Sequence, residues 1–213
     1  MAFSLQNQLG AVVRQVEDGE RDGQATRVVV ATRVYDTDPG DLWDALTSAE
    51  RIPRWFLPIS GELRLGGRYQ LTGNAGGKII GCDPPQSLSV TWEFGGQVSW
   101  VTVTLSPEGD DQTLLRLEHE AIPDGQFWPT YGPGAVGVGW DLTLLGLANH
   151  LAGGEKPTQE AFLAWNGSDA AKALMRQSSD AWADADIARG EAPEQARAAA
   201  GRTTAFYTGG AHS

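Results

Sequence analysis

The chain reads as an α+β domain: an antiparallel β-meander, then one long apolar helix, then a helical extension. Three observations predict this. From Leu57 to Ala121, short runs rich in Val, Thr, Trp and Leu are cut by Pro58, Gly61, Gly66-Gly67, Gly73, Gly76-Gly77, Pro84-Pro85 and Gly95-Gly96, and by Pro107 to Asp111, the punctuation of hairpin-linked strands. From Gly132 to Leu151, GPGAVGVGWDLTLLGLANHL places Trp140, Leu144, Leu147 and Leu151 at helical spacing, with Leu145 and Ala148 widening the stripe; a face that broad needs a sheet to cover it. Beyond Lys156, apolar residues again recur at helical spacing between cap signals.

Each element has a local reason. Ala11 to Val16 is a short apolar run, and Thr26 to Tyr35 alternates, so the two read as a strand pair around the polar stretch Glu17 to Gly23. Val28, Val30 and Val34 are expected on one face and Arg27, Ala31 and Arg33 on the other. Asp38 is placed to cap a helix that Pro39 opens, with Leu42, Trp43, Ala45 and Leu46 as its apolar stripe. Pro53 makes Ser48 to Phe56 a bent pair of turns. Strands are expected at Glu62–Leu65, Tyr69–Asn74, Lys78–Asp83, Ser87–Phe94, Val98–Leu105 and Thr113–Ala121. In the last, Leu115, Leu117 and His119 point opposite to Leu114, Arg116, Glu118 and Glu120. Pro123 to Pro129 reads as a loop. Pro133 suits a first helical position, and Gly153-Gly154 stop the long helix. In the extension Asn166-Gly167 close one helix and Ser168 caps the next, whose stripe is Ala171, Leu174, Met175, Ser178, Trp182 and Ala185. A third helix runs from Pro193 to Tyr207, packing on the domain itself is expected for all three, and the residues from Gly209 on read as a frayed end.

Composition bounds the function. A chain of 213 residues, 41% apolar, supports one sizeable core plus an appendage. Its net charge of -11 argues against general affinity for nucleic acid or anionic membrane, which depends on clustered Lys and Arg. No leader-like or bilayer-spanning stretch is readable, so a cytoplasmic location is expected. Cys82, the single cysteine, excludes an internal disulfide and is expected to pack in a strand. His119, His150 and His212 share no metal-ligand spacing, and no metal or cofactor is expected. Gly132, Gly134 and Gly137 satisfy GxGxxG, but no strand precedes them and no βαβ alternation surrounds them, so they read as loop flexibility or close packing rather than a dinucleotide site. The Asn166-Gly167-Ser168 sequon carries no weight without a secretion signal.

From Val34 to Gly67 the sequence resembles the START-like or SRPBCC superfamily, in particular the family named after the activator of Hsp90 ATPase. The resemblance rests on Pro39, Trp43, Thr47, Arg54-Trp55-Phe56 and Gly66-Gly67, then on GKIIGCDPPQSLSVTW (Gly77 to Trp92), TLLRLEH (Thr113 to His119) and Gly139-Trp140. It covers about Thr26 to Leu151. It implies a helix-grip fold, in which a curved antiparallel sheet wraps a long C-terminal helix around a hydrophobic cavity. Residues 1–23 would then be a strand or hairpin joining the sheet, 24–154 the helix-grip domain and 155–213 a helical extension outside the family core. The stretch before Gln24 is too short for the separate N-terminal domain of the eukaryotic co-chaperone.

The residues expected to line such a cavity are Trp55, Tyr69, Trp92, Leu117, His119, Trp128, Trp140 and Leu144, while Trp43 and Trp100 are assigned to packing. Gly146 removes a side chain from the middle of the long helix, either to let the sheet approach or to leave room for a guest. The leading function is binding of an apolar or amphipathic small molecule, oriented by His119 and with Tyr69 and Glu93 as further polar anchors. A cyclase-like or hydrolase-like enzyme would use His119 with Glu93 or Asp141 as acid and base. A co-chaperone or regulatory module would use the acidic surface or the helical extension to bind a protein.

Overall fold

The computed structural model describes residues 5–123 and 127–209. In chain order the elements are α1 (Leu5–Gly10), β1 (Val13–Arg21), β2 (Gln24–Tyr35), α2 (Pro39–Thr47), a 3-10 turn (Ile52–Arg54), β3 (Ile59–Gly61), β4 (Arg68–Leu71), β5 (Gly76–Asp83), β6 (Ser87–Phe94), β7 (Gln97–Pro107), β8 (Thr113–Ala121), α3 (Phe127–Tyr131), α4 (Gly134–Leu151), α5 (Gln159–Asn166), α6 (Asp169–Arg189) and α7 (Pro193–Tyr207). The strands form an eight-stranded sheet in the order β1-β2-β8-β7-β6-β5-β4-β3. Two compact units emerge, one of Met1–Ala31, Pro123–Leu145 and Pro157–Ser213, the other of Thr32–Ile122 and Gly146–Lys156.

The second unit holds most of the sheet. Val90, Val101 and His119 lie side by side across β6, β7 and β8, as do Leu88, Val103 and Leu117. Period-two alternation therefore gathers one apolar face. On it Tyr69, Leu71 and Ile79 form a buried cluster against which Phe56, Leu57, Leu88, Val90 and Trp92 pack. The opposite face is polar, with Ser89 and Thr102 hydrogen-bonded across the strands at 3.0 Å. Asp38 caps α2 as expected, accepting from Gly40 N at 2.9 Å and Asp41 N at 3.1 Å, with Pro39 at the first turn.

Three sequence expectations are corrected in this unit. Glu62 to Leu65 is not a strand; the edge strand is β3, just before it, and Glu62 N bonds Arg68 O at the positive-φ turn of Gly61. Cys82 is exposed, although the register shift between Ile79 and Gly81 pairs it with Leu88. At the end of β2 the buried face carries Arg33 and Tyr35 while Val34 is exposed, the guanidinium lying 4.9 Å from the centre of the Tyr35 ring. Burial lowers the pKa of Arg33.

In the first unit the expected stripe of α6 is buried throughout, joined by Ser179, Ala183 and Asp186. It packs along β1, α1 and α7, so the extension folds back on its own chain. Ser168 accepts from Ala171 N, and Gly190 closes the helix at φ 122°. Beside that end Arg189 bridges Asp186, Asp18 and Glu191. Two glycines of the GxGxxG stretch are packing residues: a Cβ on Gly134 would lie 3.1 Å from Thr203, and one on Gly137 only 2.3 Å from the Trp182 ring, while Gly132 takes the positive φ of 59° ahead of the helix. Trp182 is 0% exposed and has nowhere to retreat. Alanine in a helix interior ordinarily gains up to about 1 kcal/mol over glycine, whereas overpacking a core costs about 1–3 kcal/mol. Gly137→Ala is therefore expected to destabilise by roughly 2 kcal/mol in urea titration. Gly139→Ala, which meets only the Tyr207 hydroxyl at 3.2 Å, is expected to be neutral or stabilising.

Candidate functional site

The chemistry on the apolar sheet face starts from one buried imidazole. His119 sits on β8 between residues that the strand period turns outward, and it is 5% exposed. Its Nε2 lies 2.8 Å from Ser99 Oγ on β7, and Ser99 Oγ in turn donates to Trp92 O at 3.2 Å. With that hydroxyl proton committed, Nε2 is the donor to Ser99, which sets the tautomer. Burial pushes the His119 pKa down to about 4, so the ring is neutral at pH 7. The Trp92 indole lies tilted against it, ring centres 6.1 Å apart.

Around this pair the face is less completely covered than its position warrants. Strand β6 is paired on both sides, yet its apolar side chains Leu88, Val90 and Trp92 are each only half-buried, while Val101, Leu115 and Leu117 beside them are buried. Tyr69 is buried and donates to Thr91 O at 2.8 Å; burial raises its pKa, so it is a neutral hydrogen-bonded phenol. Phe56 and Leu57 complete this wall, and Trp55 stacks on Phe56 with ring centres 5.6 Å apart.

Of the expected lining residues, Tyr69, Trp92, Leu117 and His119 share this face of the sheet. Trp55 reaches it through Phe56, its own indole N–H donating to Ala45 O at 2.9 Å. Trp128 on α3, half-buried, and Trp140 and Leu144 on α4, both buried, belong to the first unit. Gly146 has a different role from either expected: a Cβ there would sit 2.8 Å from Trp55 O, so it admits that backbone rather than the sheet or a guest. Sequence reading missed Ser99, Leu88, Val90 and Phe56. Ser99 shares a period of two with Val101 and Val103 and could have been found from it; its pairing with His119 depends on strand register.

Within the second unit the pair of His119 with Glu93 proposed for catalysis does not form, and Asp141, in the first unit, is taken up by partners of its own. Glu93 follows Trp92 on β6 and therefore points to the opposite face from His119, where Arg68 holds it at 2.6 Å and lowers its pKa. Thr91 adds a hydrogen bond at 3.1 Å on that outer side. Asp141 is 1% exposed and its carboxylate is taken up by Arg14 Nε at 3.0 and 3.2 Å, Trp182 Nε1 at 3.1 Å and the Ser178 hydroxyl. Among the described residues no group of three or more His, Cys, Asp or Glu could hold a metal ion, and no helix is long and apolar enough to cross a membrane. His212 lies outside the described residues.

Comparison with known proteins places this geometry in a family. No curated protein matches the sequence. CalU16 from Micromonospora echinospora is similar to the chain in its crystal structure, with 32% identity and a TM-score of 0.67 over 82% of this chain and 98% of that one. Its solution structure gives 31% identity and a TM-score of 0.68 over 84% and 97%. An HSP90 activator from Plasmodium falciparum shares the fold at 23% identity, with a TM-score of 0.52 over 61% of this chain and 99% of that one. The fold is accordingly of the α+β helix-grip class. The model of the activator of Hsp90 ATPase homolog 1-like proteins matches residues 36–152, and the chain belongs to that family.

Proposed function

We propose that the chain binds an apolar or amphipathic small molecule on the face of the sheet lined by Tyr69, Leu88, Val90, Trp92, Leu117 and His119. The observation that carries this is the half-burial of Leu88, Val90 and Trp92 on an interior strand, where inward apolar side chains are ordinarily covered. An apolar guest gains about 25 cal/mol for each Å² of such surface it removes from water. A neutral imidazole and a neutral phenol beside it can orient a polar group without carrying a buried charge, the mixture typical of small-molecule sites. Trp55, stacked on Phe56 beside that face, belongs to the same reading.

Native mass spectrometry after gentle purification, followed by a panel of fatty acids and aromatic polyketides, tests the proposal. Mass shifts for a subset, with quenching of tryptophan emission, are expected. Trp92→Ala should weaken the bound member about tenfold, some 1.4 kcal/mol, because it removes the largest ring from the face. A panel that leaves the protein's mass and fluorescence unchanged would refute the assignment.

A further inference from the structure

The turn that carries Phe56 is held from three directions within the sheet unit. From α2, Ala45 O accepts the Trp55 indole N–H at 2.9 Å. From α4, the missing side chain of Gly146 lets the helix close on Trp55 O. From the linker after α4, Lys156 Nζ donates to Pro53 O at 3.2 Å and to Phe56 O. That linker is itself fixed, since Asn149 Nδ2 donates to Glu155 O at 3.0 Å and Gly154 N to Asn149 O at 2.8 Å. The three holds differ in kind. Close packing at Gly146 and a ring N–H wedged on α2 have no ready substitute, whereas Lys156 is exposed, so water can take the place of its two carbonyl partners and its hold is the one that can be released.

Phe56 and Leu57 pack on the same apolar cluster as Leu88, Val90 and Trp92. Moving the backbone at Phe56 O thus moves one wall of the binding face. We propose that Lys156 is a latch: by gripping the carbonyls of Pro53 and Phe56 it keeps Phe56 and Leu57 seated, and its release opens that side of the face to a guest. The ligand-gating part rests on the binding function proposed above. Lys156 is a positioning residue, acting through Phe56 without touching the guest.

The test uses the full chain in wild-type, Lys156→Met and Lys156→Arg forms. Methionine keeps the aliphatic stem and removes the donors; arginine keeps the donors. Stopped-flow binding of Nile red, a neutral probe insensitive to charge steering, should show association and dissociation both faster by about fivefold or more in Lys156→Met, with Kd changed less than about twofold, the signature of a gate. Lys156→Arg should restore the wild-type rates. In the absence of probe, amide exchange at Trp55 and Phe56, whose N–H groups both bond Ile52 O, should quicken about tenfold in Lys156→Met while β7 and β8 stay protected. Equal rates in all three proteins, or faster exchange spread over β7 and β8, overturns the latch. A wild-type chain that takes up no Nile red counts against the binding function instead, and the exchange comparison then decides whether Lys156 holds the turn.

Discussion

Asp141→Ala is expected to lower stability by about 3–5 kcal/mol, because it removes the one carboxylate, among the described residues, that pairs with the buried guanidinium of Arg14. Arg14 cannot turn outward when its partner is lost. Its side chain is 8% exposed, and its other nitrogens are already tied to Val12 O at 2.9 Å and Leu9 O at 3.0 Å. Its guanidinium carbon also lies 5.9 Å from the Trp182 ring centre. Two further buried donors, the Ser178 hydroxyl and the Trp182 indole N–H, would lose their acceptor in the same substitution. For a chain of this size the loss corresponds to a fall in Tm of about 10 °C. The double variant Arg14→Met with Asp141→Leu removes both charges together, so it should cost less than Asp141→Ala alone. Urea titration of the two decides the matter: an Asp141→Ala protein within about 1 kcal/mol of wild type would show that water reaches Arg14 and that the network is not closed.

The same network marks where reading the sequence runs out. The stripe of α6 was legible, since Leu174, Met175, Ser178 and Trp182 recur at helical spacing and need only a periodic pattern to be found. That a serine of this stripe and the indole of Trp182 meet Asp141 depends on which way α4 is turned, and from the sequence Asp141 reads only as a candidate acid or base. Strand β8 shows the complementary case. Its alternation placed Leu115, Leu117 and His119 on one face correctly, because a period of two is local. The partner of His119 lies twenty residues earlier in the chain at Ser99, and only the register of β7 against β8 reveals it. Glu93 failed as a catalytic acid for a reason that was legible after all: it adjoins Trp92 on one strand, so both could not face inward. Gly146 and Gly137 illustrate the remaining limit. A glycine announces that something comes close, but whether that is Trp55 O or the Trp182 ring is a tertiary fact.

Stability is expected to fall by about 3 kcal/mol as pH drops from about 6.5 to about 4, and His119 is the group responsible. The sign follows from proton counting. The unfolded chain takes up a proton on this imidazole near its ordinary pKa of about 6.5, whereas the folded chain resists until about 4 because burial penalises the charged ring. Between those values the unfolded state binds more protons, so each step down in pH favours unfolding; above the upper value both states are neutral and the contribution is flat. Carboxylates also titrate near the lower end. Those of Glu93 and Asp41, whose pKa values are lowered by Arg68 and Arg51, add their own loss there. A comparison isolates the histidine: His119→Gln keeps an N–H able to reach Ser99 but carries no titrating group. Urea midpoints measured every half pH step should therefore fall more steeply for the wild type than for His119→Gln between about pH 6.5 and 4, and in parallel below about pH 4, since His150, whose pKa burial also lowers, and the carboxylates act equally in both proteins. Parallel curves over that upper window would mean that the ring gains its proton in the folded state at an ordinary pKa, and with that the neutral, buried imidazole on which the proposed binding face relies would be lost.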